Sequence, residues 1–86
     1  MTSVTLLTSM GCTPCLRVKR ILNELQEKQP DLRVEEVEFT SQAGSKLAIE
    51  NEILYPPAVF VSGKLVAKGK IYADELTAAI GKFKEN

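Results

Sequence analysis

The sequence predicts an α/β domain of order βαβαββα, a four-stranded mixed sheet flanked by three helices. Three observations carry that expectation. A short apolar run, Ser3 to Thr8, precedes a stretch in which Cys15, Val18, Ile21, Leu22 and Leu25 recur at helical spacing, and Leu32 to Phe39 then reads as a second strand. Ala58 to Val61 and Lys64 to Ala67 are strands parted by the turn pair Ser62-Gly63, a β-hairpin pattern. A strand, helix and strand in succession imply parallel neighbours, whereas a hairpin adds antiparallel ones.

Taken in order, Ser3 to Thr8 is rich in Val, Thr and Leu and reads as a strand buried on both faces. The first helix opens at Thr13, with Pro14 in the first turn where no amide partner is lost, and Gln29-Pro30-Asp31 ends it. In the second strand the alternation slips at Glu35-Glu36, which leaves its register open; an acidic run such as Glu35-Glu36 and Glu38 is usually a solvated edge, and no role is assigned to it. Thr40-Ser41-Gln42 caps a second helix running to Ile53, with Leu47, Ile49 and Ile53 inward; Gly44 weakens its first turn and points to a start at Ser45. Tyr55-Pro56-Pro57 then leads into the hairpin, and Gly69 punctuates its exit. The closing helix, Tyr72 to Lys84, has Asp74 and Glu75 at its positive end and an inward stripe of Leu76, Ala79, Ile80 and Phe83.

With 86 residues, 44% hydrophobic and 26% charged, the chain has room for one domain, residues 1–86, and a modest core. Eleven basic residues balance eleven acidic ones, so neither nucleic acid nor a membrane surface is an expected partner. The first nine residues carry no lysine or arginine, and Val4 to Leu7 is too short for a signal peptide or a membrane span, so the cytoplasm is the expected compartment. The absence of histidine removes Cys-His nucleophiles and Cys2His2 zinc sites.

Both cysteines lie in Gly11-Cys12-Thr13-Pro14-Cys15, at the start of the first helix. Thiols at i and i+3 there stand close enough to form a disulfide, and the same spacing also captures metal. So small a loop adds little to stability, which points to function for the pair. Of Arg17, Lys19 and Arg20 near the first turns, at least two read as solvated cations of the helix face.

A strand, then Cys-x-x-Cys opening a helix, then a proline-led hairpin before a last helix resembles the thioredoxin/glutaredoxin superfamily over nearly the whole chain. Pro57-Ala58-Val59-Phe60-Val61-Ser62-Gly63-Lys64 is similar to the segment that follows the cis-proline of that family. The resemblance implies a thioredoxin-like fold and a dithiol-disulfide oxidoreductase that needs no cofactor or metal, with Cys12 and Cys15 as catalytic residues and redox disulfide. Cys12, at the helix N-terminus where the dipole stabilises a thiolate, is then the nucleophile, and Cys15 resolves the mixed disulfide. Gly11, Thr13, Pro14, Pro56 and Pro57 are the implied substrate-binding residues, with a cis peptide at Pro57. In the family, the residue before that proline pairs through its N–H and C=O with an extended substrate; Pro56 has no N–H to offer.

Pro14 is closer to the thioredoxin-type Cys-Gly-Pro-Cys, while the size of the chain is that of a glutaredoxin. Where glutaredoxins hold glutathione with a cation before the motif, a Thr-Val-Pro segment and a Gly-Gly, this chain has Ser9, Tyr55-Pro56-Pro57 and Gly69-Lys70. The expected partners are therefore a disulfide-containing protein substrate and a thioredoxin-reductase-type donor rather than glutathione, with the protein a monomer. Met10-Gly11-Cys12-Thr13-Pro14-Cys15 also resembles the Cu(I) loop of heavy-metal-associated domains, but those run βαββαβ and end on a strand. A docking module that keeps the fold without catalysis is the third alternative, against which stands the presence of both cysteines.

Overall fold

The computed structural model describes residues 2–84, which form β1 (Thr2–Thr8), α1 (Thr13–Lys28), β2 (Leu32–Glu38), α2 (Gln42–Glu50), β3 (Ala58–Val61), β4 (Lys64–Lys68) and α3 (Ala73–Lys84). The order is the expected βαβαββα. The strands make one sheet in the order β2-β1-β3-β4. β1 runs parallel to β2 and antiparallel to β3, and β3 pairs antiparallel with β4, so the sheet is mixed. The side chain of Phe83, expected to complete the α3 stripe, lies outside the described residues.

Two cores flank the sheet. On one face Val4 and Leu6 meet Val18, Leu22 and Leu25 of α1 and Leu76 and Ile80 of α3. On the other, Leu7, Ala58 and Phe60 meet Ala48 and Ile53. Four consecutive buried residues in β3 divide strictly by pleat, Val59 and Val61 to the first core and Ala58 and Phe60 to the second. In β4 a bulge opposite Val59 and Phe60 lets the neighbours Val66 and Ala67 both pack on the first core.

Burial on both faces of β1 holds only in part. Ser3 is exposed and Thr5 half-buried, while Leu7 on the same face is buried. Nine residues of α2 span roughly 13 Å against roughly 23 Å of seven-residue strand, too short to cover the whole face.

The same partial cover explains β2. Leu32 and Val34 pack on the α1 side and Val37 and Phe39 on the α2 side, so the break at Glu35-Glu36 is a change of covered face within an unshifted register, Thr2 opposite Leu32 through Thr8 opposite Glu38.

α2 departs most from expectation. It begins at Gln42, before Gly44, and ends at Glu50, short of Ile53. Ser41 holds the start: its hydroxyl donates to the Glu38 carbonyl at 2.6 Å and accepts from the Gly44 amide at 3.0 Å. Gly44 is buried because the helix lies against the end of β2, and a Cβ there would collide with the Glu38 carbonyl. Ile49, expected inward, is 79% exposed, and its neighbour Ala48 is the residue that packs in the core. Past Asn51, Glu52 adopts φ 55°, which turns Ile53 back into the core.

Gly44→Ala is expected to lower unfolding stability by about 1–3 kcal/mol through overpacking against backbone that has nowhere to move, read from urea denaturation.

Candidate active site

The site is assembled at one end of β1. Leu7 stands opposite Ala58 of β3 and Thr8 opposite Glu38 of β2, so the chain leaving β1 has Pro57 on one flank and Glu38 on the other. The amide of Phe39 donates to the Thr8 carbonyl at 2.7 Å and secures the second flank. Beyond Thr8 the backbone turns through Gly11 at φ +77°, a left-handed conformation that favours glycine, and reaches Cys12.

Cys12 is the N-cap of α1, its extended backbone preceding the helix and its sulfur accepting the Cys15 amide at 3.1 Å. Pro14 sits in the first turn, where an amide donor is not needed. Cys12 and Cys15 form a disulfide with their Cα atoms 5.2 Å apart. Cys12 is half-buried, whereas Cys15 is 1% exposed beneath the first turn. A sulfur at a helix N-terminus, already accepting an amide N–H, is well placed to carry charge as a thiolate once the disulfide opens.

The peptide between Pro56 and Pro57 is cis, as the resemblance implied. Pro57 is buried, and its carbonyl accepts from the Gly69 amide at 2.9 Å, tying this loop to the exit of β4.

Two cavities flank the motif. One, of about 350 Å³, is lined by Pro14, Arg17, Tyr55, Pro56, Pro57, Gly69, Lys70 and Ile71. The other, of about 220 Å³, holds Cys12 and Cys15 with Thr8 to Gly11, Leu16, Lys19, Glu36 and Glu38. Of the residues expected to bind substrate, Pro14, Pro56 and Pro57 meet in the first cavity and Gly11 in the second. Thr13 is exposed at the first position of α1 and lines neither.

Two groups of charge stand near the motif. Lys19 is exposed, as Arg17 and Arg20 are, and its ammonium lies 3.2 Å from a Glu36 carboxylate oxygen. On the edge strand β2, Glu36 and Glu38 share the face of Leu32 and Val34 and line the cavity of the disulfide. Counting by twos from Val34 places both on that face, but only the position of α1 shows what lies over them. Tyr55 and Lys70, noted in the sequence only where glutaredoxins hold glutathione, and Ile71, which carried no signal, are brought to Pro14 by the loop tied down by Pro57 and Gly69. Among the described residues, no three of the His, Cys, Asp and Glu side chains group to hold a metal ion.

Solved structures share this architecture. Chlamydomonas reinhardtii thioredoxin f2 superposes with a TM-score of 0.73 at 20% identity over 99% of this chain and 81% of its own. The chain has the thioredoxin-like fold. Thioredoxin O2 from Arabidopsis thaliana, in its oxidised state, gives 0.71 at 20% identity over 95% of this chain and 74% of its own. Oxidised mitochondrial thioredoxin 3 from Saccharomyces cerevisiae gives 0.64 at 24% identity over 99% and 78%. No family model and no curated protein matches the sequence. The placement of α2 between β2 and β3 also sets the thioredoxin-like fold of this chain apart from the βαββαβ order of heavy-metal-associated domains.

Alkylation mass spectrometry checks the disulfide: oxidised protein is expected to take up thiol reagent only after reduction, and then at both Cys12 and Cys15. Labelling of unreduced, fully oxidised protein would contradict the bond.

Proposed function

We propose that the protein is a thiol-disulfide oxidoreductase that reduces disulfides in protein substrates. The observation that carries this reading is the Cys12–Cys15 disulfide at the N-terminus of α1, one sulfur accessible and the other sheltered, beside the Pro56-Pro57 loop.

In the reduced protein the Cys12 thiolate attacks one sulfur of the substrate disulfide, and the other substrate sulfur leaves as a thiolate that takes up a proton. Cys15, having lost its own proton, then attacks the Cys12 sulfur. The protein disulfide forms, the bond to substrate breaks, and the second substrate sulfur leaves and is protonated. One substrate disulfide is reduced by two electrons, and the protein dithiol is oxidised by two. The difference in exposure supports Cys12 as the cysteine that begins, since it is half-buried where Cys15 is buried.

Recharging requires a two-electron donor, for which a flavin-dependent reductase of the thioredoxin-reductase type is proposed over glutathione. Ser9, Pro56 and Lys70 stand where glutaredoxins carry their glutathione contacts. The assay is disulfide reduction with NADPH and thioredoxin reductase against glutathione and glutathione reductase. Turnover with the former alone supports the reading. Failure of both, with tight stoichiometric Cu(I) binding by the reduced protein, would favour a metal-binding module instead.

Cys12→Ser is expected to abolish turnover, and Cys15→Ser to accumulate mixed disulfides visible on non-reducing gels. Pro56→Val restores an N–H beside the site and is expected to tighten a trapped peptide complex about fivefold, near the contribution of one hydrogen bond. Unchanged affinity would show that no substrate strand pairs there.

A further inference from the structure

The two flanks of the disulfide differ in charge. The cavity beside Pro56 and Pro57 has Arg17 and Lys70 and no carboxylate, whereas the one that holds the cysteines sets Glu36 and Glu38 against Lys19 alone. The division begins on α1. At roughly 100° per residue, Pro14 and Arg17 lie to one side of the buried stripe Cys15, Val18 and Leu22, and Leu16 and Lys19 to the other.

Lys19 is neutralised by Glu36. Among the described residues the side chains of Arg17 and Lys70 have no ion-pair or hydrogen-bond partner, and both residues are exposed. Two unpaired cations over the apolar floor of Pro14, Pro56 and Ile71 are complementary to a carboxylate on a segment lying across that floor.

The groove also extends. A neighbouring cleft of about 270 Å³ shares Tyr55, Gly69 and Lys70 and continues to Ile53 and Leu54, with Lys68 and Glu52 balancing each other. A small disulfide would fill only the end next to Pro14, but an extended polypeptide can occupy both parts.

We propose that Arg17 and Lys70 make this oxidoreductase selective for protein disulfides with an acidic residue close to the attacked cysteine, seated on the Pro56-Pro57 side. With Glu36 paired to Lys19, Glu38 is the carboxylate left in that cavity to repel the same residue from the other side, so charge sets the direction in which the segment lies. The proposal rests on the redox function and adds its substrate class.

The test is single-turnover oxidation of the pre-reduced protein by three disulfide-bridged peptides that differ only in Glu, Gln or Lys beside the cystine. Rates are expected in the order Glu, Gln, Lys, with Glu about fivefold over Gln at low salt, as two exposed charge contacts allow, and the ratio falling as salt rises. Arg17→Gln and Lys70→Gln should each lower the Glu-to-Gln ratio and together bring it near one. Arg20→Gln, on a cation that lines neither cavity, should leave the ratio as it was.

Equal rates for all three peptides, or a ratio that survives the double substitution, overturn the selectivity while the redox function stands. No reaction with any peptide overturns both. A matched pair of small disulfides, dithiodipropionate and hydroxyethyl disulfide, separates the remaining case. If their ratio depends on Arg17 and Lys70 and that of the peptides does not, the groove is a small-molecule site and the proposal is wrong.

Discussion

β1 is hydrogen-bonded to a parallel neighbour on one side and an antiparallel one on the other, and the position of every group at the site follows from those two ladders. A parallel partner ends where β1 ends, which brings Glu38 beside Thr8. An antiparallel partner begins there, which brings Pro57 and Ala58 to the same edge. The chain leaves β1 between them to start α1, so the helix N-terminus, the cis-proline loop and the end of β2 converge although far apart in sequence. Sites at the carboxyl ends of parallel strands commonly arise in this way.

Packing holds that edge in place. α1 and α3 pack on the larger core of one face, whereas α2 covers only part of the other and reaches it by close contact at Gly44. The Ser41 hydroxyl links α2 to Glu38 of β2, and the Gly69 amide links the proline loop to the exit of β4. The flanks of the disulfide are thus tied to neighbouring elements by one side-chain and one backbone hydrogen bond. Geometry at Cys12 depends little on the exposed side chains around it, among them Met10, which is 93% exposed.

Charge is distributed with the same economy. The helix face of Pro14 and Arg17 meets a loop of prolines and glycine with Lys70, and the face of Leu16 and Lys19 meets the glutamates of β2. With equal numbers of acidic and basic residues in the chain, no net field exists to steer a partner. Local asymmetry at the disulfide is what remains available for selecting one.

Much of this was legible in the residues. The periods of Val18 to Leu25, the runs around Phe60 and the turn at Ser62-Gly63 are local signals, and local backbone preference with pleat or helical spacing is enough to read element order from them. The Cys12–Cys15 pairing is local as well, since its two residues share one helical turn. Gly44 and Ile49 misled for a physical reason: propensity and hydrophobicity describe a helix by itself, while α2 is shaped by a carbonyl of β2. The acidic face of β2, and the meeting of Arg17 with Lys70 across more than fifty residues of chain, depend on which strands pair and which helix covers them. The sequence by itself determined the elements and the dithiol. Only the tertiary structure decided what stands on either side of the dithiol, because those neighbours are joined through the sheet and not along the chain.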